Sequence, residues 1–272
     1  MARPVGRADG LSPVHVRGAF EPSPKSVAFT SPPVFEEVGS ISVHPTGVVP
    51  AALFGPGAVA EEFRTLAAHI RALDAQRPFR CFGIVSAVVG EGKTIVAGGL
   101  ATALAQNTGR VLLVESDLRR AALDTYFGLP RSAGLSEWLH DGVEPVAVGR
   151  VLPPGFFLLA AGQSLKYYAR AAFAESRDVA RMRALIEGAR RLFDFVIVDC
   201  PPLMPVADAI ILQEFLDGFL VVVRERYAPL ETVLRGVDRL DPERLRGVVL
   251  NDHLEVLRRY SKYQNEYYRD RA

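Results

Sequence analysis

Cysteine is scarce in this chain, with two residues in 272, Cys81 and Cys200, each inside or beside an apolar run. Thiols so placed read as reduced core side chains and exclude a disulfide scaffold or a thiolate zinc site. The five histidines show no ligand spacing, which removes the other common donor set for a transition metal. No stretch of eighteen or more apolar residues occurs, and a basic-then-apolar leader is lacking at the N-terminus. Those two absences predict a cytoplasmic chain without direct membrane insertion, whose membrane role would come through a partner. An excess of charge is missing too: a net charge of +1 with 23% charged residues excludes an electrostatic nucleic-acid binder.

What is present is an ordinary globular composition, 49% hydrophobic, unevenly divided along the chain. Nine of the nineteen prolines precede residue 57, in a stretch with no sustained hydrophobic period, which predicts a disordered N-terminal arm over residues 1–57. A domain is expected over 58–256, followed by a flexible tail over 257–272. It opens with a helix over 58–73, carrying Phe63, Leu66, Ile70 and Leu73 on one face. Strands then alternate with helices: strands at 80–87, 111–115, 156–160, 195–199, 218–223 and 245–250, helices at 93–107, 176–192, 206–216, 228–239 and 253–262. Continuous apolar strands separated by helices imply an α/β fold, a doubly wound, mostly parallel sheet with helices on both faces.

Ligands bind such sheets at the carboxyl ends of the strands, and three of those ends carry chemistry. The first, Ser86-Ala-Val-Val-Gly-Glu-Gly-Lys-Thr94, runs from a strand into an alanine-rich helix as a phosphate-binding loop would. Gly90, Glu91 and Gly92 would let backbone N–H groups face a triphosphate, with the positive end of the following helix behind them. Lys93 would reach the β- and γ-phosphates, and Thr94 would ligate Mg²⁺. Ala87 stands where the full pattern has its first glycine. At the second end, Glu115 and Asp117 leave a buried strand two residues apart and therefore to one side. The third strand ends at Asp199 and is stopped by Pro201 and Pro202. Carboxylates in these places suit Mg²⁺ on a triphosphate, which demands oxygen ligands or held waters.

Together these segments resemble the bacterial tyrosine kinases of capsule and exopolysaccharide loci, P-loop NTPases related to the cell-division and partition ATPases. Ser86 through Thr94 is similar to the family's Walker A segment, Glu115 through Arg120 to its Asp-x-Asp-Leu-Arg-Arg motif, and Asp199 through Pro202 to its Walker B. Pro205-Val-Ala-Asp-Ala209, Val221 to Arg224 and Gly247 to Asp252 resemble later strand-end segments, so the likeness covers most of residues 59–252. Val88 occupies the position of the partition ATPases' signature lysine, which argues against that branch. Other positions depart from the kinase pattern: Glu115 for an aspartate, Val89 for a proline, Gly99 for an asparagine. Ala67 replaces the last arginine of an oligomerisation motif matched otherwise by Glu61 and Arg64.

The resemblance implies ATP- and Mg²⁺-dependent tyrosine autophosphorylation, self-association, and a transmembrane polysaccharide co-polymerase that recruits the chain to the inner face of the membrane. By motif position Lys93, Glu115, Asp117 and Asp199 are the catalytic set. Thr94, Asp117 and Asp199 hold the metal, and Asn251 meets the adenine edge. Four of the eight tyrosines, Tyr260, Tyr263, Tyr267 and Tyr268, lie in the polar, basic tail and are the candidate acceptors. Three readings stay open: an active autokinase, an ATP-binding pseudokinase scaffold of the same machinery, and a positioning ATPase.

Overall fold

The computed structural model describes residues 35–40, 57–128, 133–142, 146–151, 155–162, 173 and 175–252. Eight strands form one sheet: β1 (Phe35–Ser40), β2 (Cys81–Ser86), β3 (Val111–Glu115), β4 (Val146–Val151), β5 (Phe156–Leu159), β6 (Phe195–Asp199), β7 (Gly218–Arg224) and β8 (Leu245–Asn251). Their order is β1-β4-β5-β3-β6-β2-β7-β8. From β5 to β8 every neighbouring pair is parallel, whereas β4 runs antiparallel to β5. The mostly parallel, doubly wound expectation therefore holds.

Side chains alternate across the central strands and so build two cores. Phe82 and Ile84 of β2, Val111 and Leu113 of β3, and Phe195 and Ile197 of β6 face one side. There they meet Ala67 and Ile70 of α1 (Ala58–Gln76), Val96, Leu100 and Leu104 of α2 (Lys93–Thr108), and Leu123 and Phe127 of α3 (Leu123–Phe127). Cys81, Val85, Leu112, Val114, Val196 and Val198 face the other side. They meet Leu135, Trp138 and Leu139 of α4 (Leu135–Asp141) and Met182, Leu185 and Ile186 of α5 (Ser176–Leu192). Each fully buried aliphatic or phenyl side chain contributes on the order of 2 kcal/mol, which is why strands so apolar form the middle of the sheet. Both cysteines are free and buried, and burial pushes the Cys81 thiol up to about 12. Trp138 belongs to this core, its Nε1 donating to the Arg181 carbonyl at 3.1 Å.

Two expectations need correction. The N-terminal arm contains a strand: β1 pairs in parallel with β4 from Phe35↔Val146 to Ser40↔Arg150, with an irregularity between Glu37 and Ser40. Its sequence, FEEVGS, has its apolar residues three apart rather than two, so it carries no strand period. The remainder of the arm lies outside the described residues, apart from Gly57 at its end. The helices expected over 206–216 and 228–239 shorten to α6 (Asp208–Leu212) and α7 (Leu230–Val237). After α6 the chain turns to deliver Asp217, whose Oδ2 accepts the Arg80 and Cys81 N–H groups at 2.9 and 2.8 Å. Pro229 occupies the N-cap of α7. The helix expected over 253–262 lies outside the described residues.

Candidate active site

Three adjacent strands, β3, β6 and β2, bring their carboxyl ends together. The loop after β2 bends through Gly90 (φ 91°) and Gly92 (φ 89°), left-handed conformations that other residues rarely adopt. A Cβ at Gly90 would strike the Tyr227 hydroxyl, and one at Gly92 would strike the Asn251 amide. The loop is braced from inside: Ser86 Oγ donates to the Val88 carbonyl at 2.7 Å, and Glu91 Oε2 accepts the Val88 N–H at 2.9 Å. Glu91 is fully buried, so its side chain shapes the loop and is closed to a ligand. Ala87 fits because α7 presents Gly236 to it; a Cβ on Gly236 would sit 3.0 Å from that of Ala87.

Lys93 opens α2 and turns its ammonium between two carboxylates. Nζ lies 3.0 Å from Asp117 Oδ2 and 3.4 Å from Asp199 Oδ1, and 3.3 Å from Thr94 Oγ1. All three charged groups are buried. Burial alone would lower the Lys93 pKa, but Asp199 and Asp117 outweigh it and raise the pKa above the ordinary lysine value. Burial pushes Asp199 upward, opposed chiefly by Lys93. Asp199 Oδ2 is buried with no hydrogen-bond partner among the described residues. An orphaned carboxylate oxygen near a threonine hydroxyl and beneath a left-handed glycine loop is suited to a metal-held water, so this donor set fits a magnesium nucleotide.

Glu115 does something different from Asp117. Its Oε1 accepts the N–H groups of Ala122 and Leu123 at 2.5 and 2.8 Å, and its Oε2 accepts that of Ala161 at 3.1 Å. The carboxyl thus ties the end of β3 to the start of α3 and the end of β5. Burial pushes its pKa up to about 7 despite those three donors, and the Asp199 charge adds to the rise.

Asn251, at the end of β8, donates Nδ2 to the Glu91 carbonyl at 2.9 Å and so touches the phosphate loop directly. Sequence reasoning missed Tyr227 beside it. That tyrosine covers Gly90, and the Arg224 guanidinium sits 5.1 Å from its ring centroid. No motif flags it, because it enters from a turn after β7. Gly99, where the kinase pattern has asparagine, lies against the Phe63 ring of α1. Ala67 is fully buried, so the helix face of the oligomerisation motif turns into the core there. Glu61 and Arg64 remain exposed and pair with each other at 2.9 Å. Tyr260, Tyr263, Tyr267 and Tyr268 lie outside the described residues. Among the described residues no helix is long and apolar enough to cross a membrane.

No protein-family model matches the chain. The tyrosine-protein kinase YwqD of Bacillus subtilis is 30% identical over 206 residues, 75% of this chain and 84% of that protein. The succinoglycan biosynthesis transport protein ExoP of Rhizobium meliloti is 32% identical over 78% of this chain. The chain spans only 27% of ExoP, and 23% of the Escherichia coli tyrosine-protein kinase etk. Among solved structures, the kinase domain of Escherichia coli ETK is similar with a TM-score of 0.65 and 30% identity, over 74% of this chain and 78% of that one.

Proposed function

The chain belongs to the bacterial tyrosine-protein kinase family, and from that premise we propose that it is an ATP-dependent tyrosine autokinase serving exopolysaccharide polymerisation and export alongside a transmembrane co-polymerase. The observation that carries the reading is the buried Lys93 ammonium, held between Asp117 and Asp199 at the head of the loop helix.

Bound ATP with Mg²⁺ supplies the transferable phosphoryl group and the divalent charge. Loop amides and Lys93 neutralise phosphate charge, which is most of what phosphoryl transfer requires of a protein. Thr94 and Asp199 hold the metal and its water, with Asp117 completing the set. Asp117 also orients the acceptor hydroxyl and draws off its proton, a tyrosine having an unperturbed pKa of ~10. The acceptors are Tyr260, Tyr263, Tyr267 and Tyr268 of the same or a neighbouring chain. Glu115 acts as a positioning residue through the three amides it binds. Asn251 holds the loop for the nucleotide, and Tyr227 covers it. Glu61 and Arg64 would exchange their mutual pair for contacts with a neighbouring subunit. A chain acting in this way works in the cytoplasm, at the inner face of the membrane.

A nucleotide-binding scaffold without transfer is the second reading. It is favoured by Glu115, whose two oxygens are committed to backbone amides, and by the buried Ala67 in place of an interface arginine. The deciding experiment is incubation with Mg-ATP followed by phosphotyrosine mapping, beside Lys93→Met. The autokinase reading expects label on Tyr267 or Tyr268 that is absent from Lys93→Met. Tyrosine label persisting in Lys93→Met would remove Lys93 from its role. ATP binding with no label would establish the scaffold.

A further inference from the structure

The opposite end of the sheet carries a second concentration of charge that the catalytic reading does not use. Arg110 precedes β3, Arg190 and Arg191 lead into β6, Arg80 precedes β2, and Arg246 lies at the start of β8. These strands are neighbours with one exception, β7, which enters between β2 and β8 through Asp217. At ~4.8 Å per strand the row spans ~19 Å. In a chain of net charge +1, a row of arginines along one edge is a local excess rather than a general basicity.

At the β3–β6–β2 part of this edge the surface is concave. A cleft of about 270 Å³ is lined by Arg80, Arg110, Arg190, Arg191, Phe193 and Asp194. Two of the arginines are fixed by acids of the fold. Arg80 Nε meets Asp74 at 2.8 Å, and Arg190 grips Asp217 at 2.8 and 3.2 Å while donating to the Phe215 carbonyl at 2.9 Å. The other two are not so engaged. Arg110 lies 5.1 Å from the ring centroids of both Phe157 and Phe193, held by stacking with no carboxylate partner among the described residues. Arg191 is exposed and has none either. Asp194 spends Oδ2 on the Arg110 backbone N–H at 2.8 Å. The cations along the edge are dense enough to act on one another: burial and then the neighbouring Arg77 and Arg244 hold the Arg246 pKa below its ordinary value.

We propose that this arginine-rimmed cleft docks an extended acidic peptide segment of a partner protein, its carboxylates meeting Arg110 and Arg191. A guanidinium fixed on aromatic rings keeps its planar donor edge free for a carboxylate, with little side-chain entropy left to lose. The cations lie in a row, as the side chains on one face of an extended chain do, and the cleft is concave where a bilayer would meet a flat or convex face. Lying beyond the amino ends of the strands, the site leaves Lys93 and the phosphate loop uncovered. The proposal therefore stands apart from the catalytic reading.

The test uses the full chain and a fluorescein-labelled octaglutamate peptide, followed by anisotropy at low ionic strength. Saturable binding is expected, with octaglutamine inert. Arg110→Gln combined with Arg191→Gln should weaken it about tenfold, the order expected for two charge-assisted contacts. Arg226→Gln with Arg235→Gln removes equal charge from exposed sites elsewhere and should leave binding unchanged. Arg191→Gln alone, which breaks no contact of the fold, should produce part of the loss, and nucleotide affinity should stay constant throughout. Equal weakening by both double variants would reduce the effect to net charge and overturn the proposal. So would absence of saturable binding, or capture by phosphatidylglycerol vesicles without capture of the peptide.

Discussion

Replacing Glu115 by glutamine isolates the energetic consequence of burying a carboxyl on three backbone amides. The fold raises the Glu115 pKa from its ordinary 4.5 to about 7. A folded-state pKa above the unfolded one means that the protonated fold is favoured. The corresponding stability is fully present below pH ~4.5 and disappears as pH rises through ~7. The gap is worth about 3 kcal/mol, most of which is lost between pH 5 and pH 8. Glutamine does not titrate. Its oxygen can still serve Ala122 and Leu123, while its NH₂ faces the Ala161 N–H, a pH-independent loss of about 1 kcal/mol. Urea unfolding of both proteins across that range should therefore show the wild-type advantage shrinking by about 2–3 kcal/mol and turning into a deficit by about pH 6. Groups common to both proteins cancel in the difference. Parallel curves, within ~0.5 kcal/mol over the range, would refute the reasoning and mean that the three amide donors hold Glu115 ionised throughout.

Other consequences are as direct. Gly99→Asn restores the kinase pattern but drives a side chain into the Phe63 ring. Helix propensity favours losing the glycine by up to about 1 kcal/mol, yet overpacking costs about 1–3 kcal/mol, so thermal unfolding should report a net loss. Gly236→Leu must displace α7 from Ala87 and should lower both stability, by about 1–3 kcal/mol, and nucleotide affinity by calorimetry. Asn251→Ala releases the Glu91 carbonyl and should weaken nucleotide binding about fivefold, the equivalent of one net hydrogen bond, without moving the unfolding midpoint much.

How much of this could be read in advance depended on how local each determinant is. The buried strands β2, β3, β5, β6 and β7 were legible because each is a largely apolar run closed by a polar or turn residue, as in Val111–Glu115 and Phe195–Asp199. Lys93, Thr94, Asp117 and Asp199 were legible because the motif fixes their strand ends, and the sheet order then brings Lys93 within ion-pair distance of Asp117 and Asp199. The inward roles of Glu91 and Glu115 were not, since whether a carboxylate meets solvent, a ligand or a backbone amide is decided by the chain folded over it. Tyr227 and Asn251 reach the loop from β7 and β8, more than 130 positions away in the chain, and no short window contains that contact. The substitutions at Gly99 and Ala67 looked like departures from a catalytic pattern, yet both are packing solutions, against the Phe63 ring and inside the core. The strand at Phe35–Ser40 stayed hidden because pairing at a sheet edge needs backbone groups more than it needs a hydrophobic period.

The placement of Asp199 at the end of β6, with Asp117 just past β3 and Lys93 following the loop after β2, makes the site a reporter of register. Parallel strands in this sheet have no hairpin to set their alignment; β6 pairs with β3 through Glu115↔Asp199 and with β2 through Ile84↔Asp199. A slip of one residue in either pairing would carry Asp199 ~3.3 Å along the strand and turn its side chain to the opposite face. The ion pair with Lys93 would then be broken. Misaligned sheets therefore have no partial version of this charge cluster, and nucleotide affinity should recover during refolding only with the last step of sheet alignment, not in proportion to secondary structure.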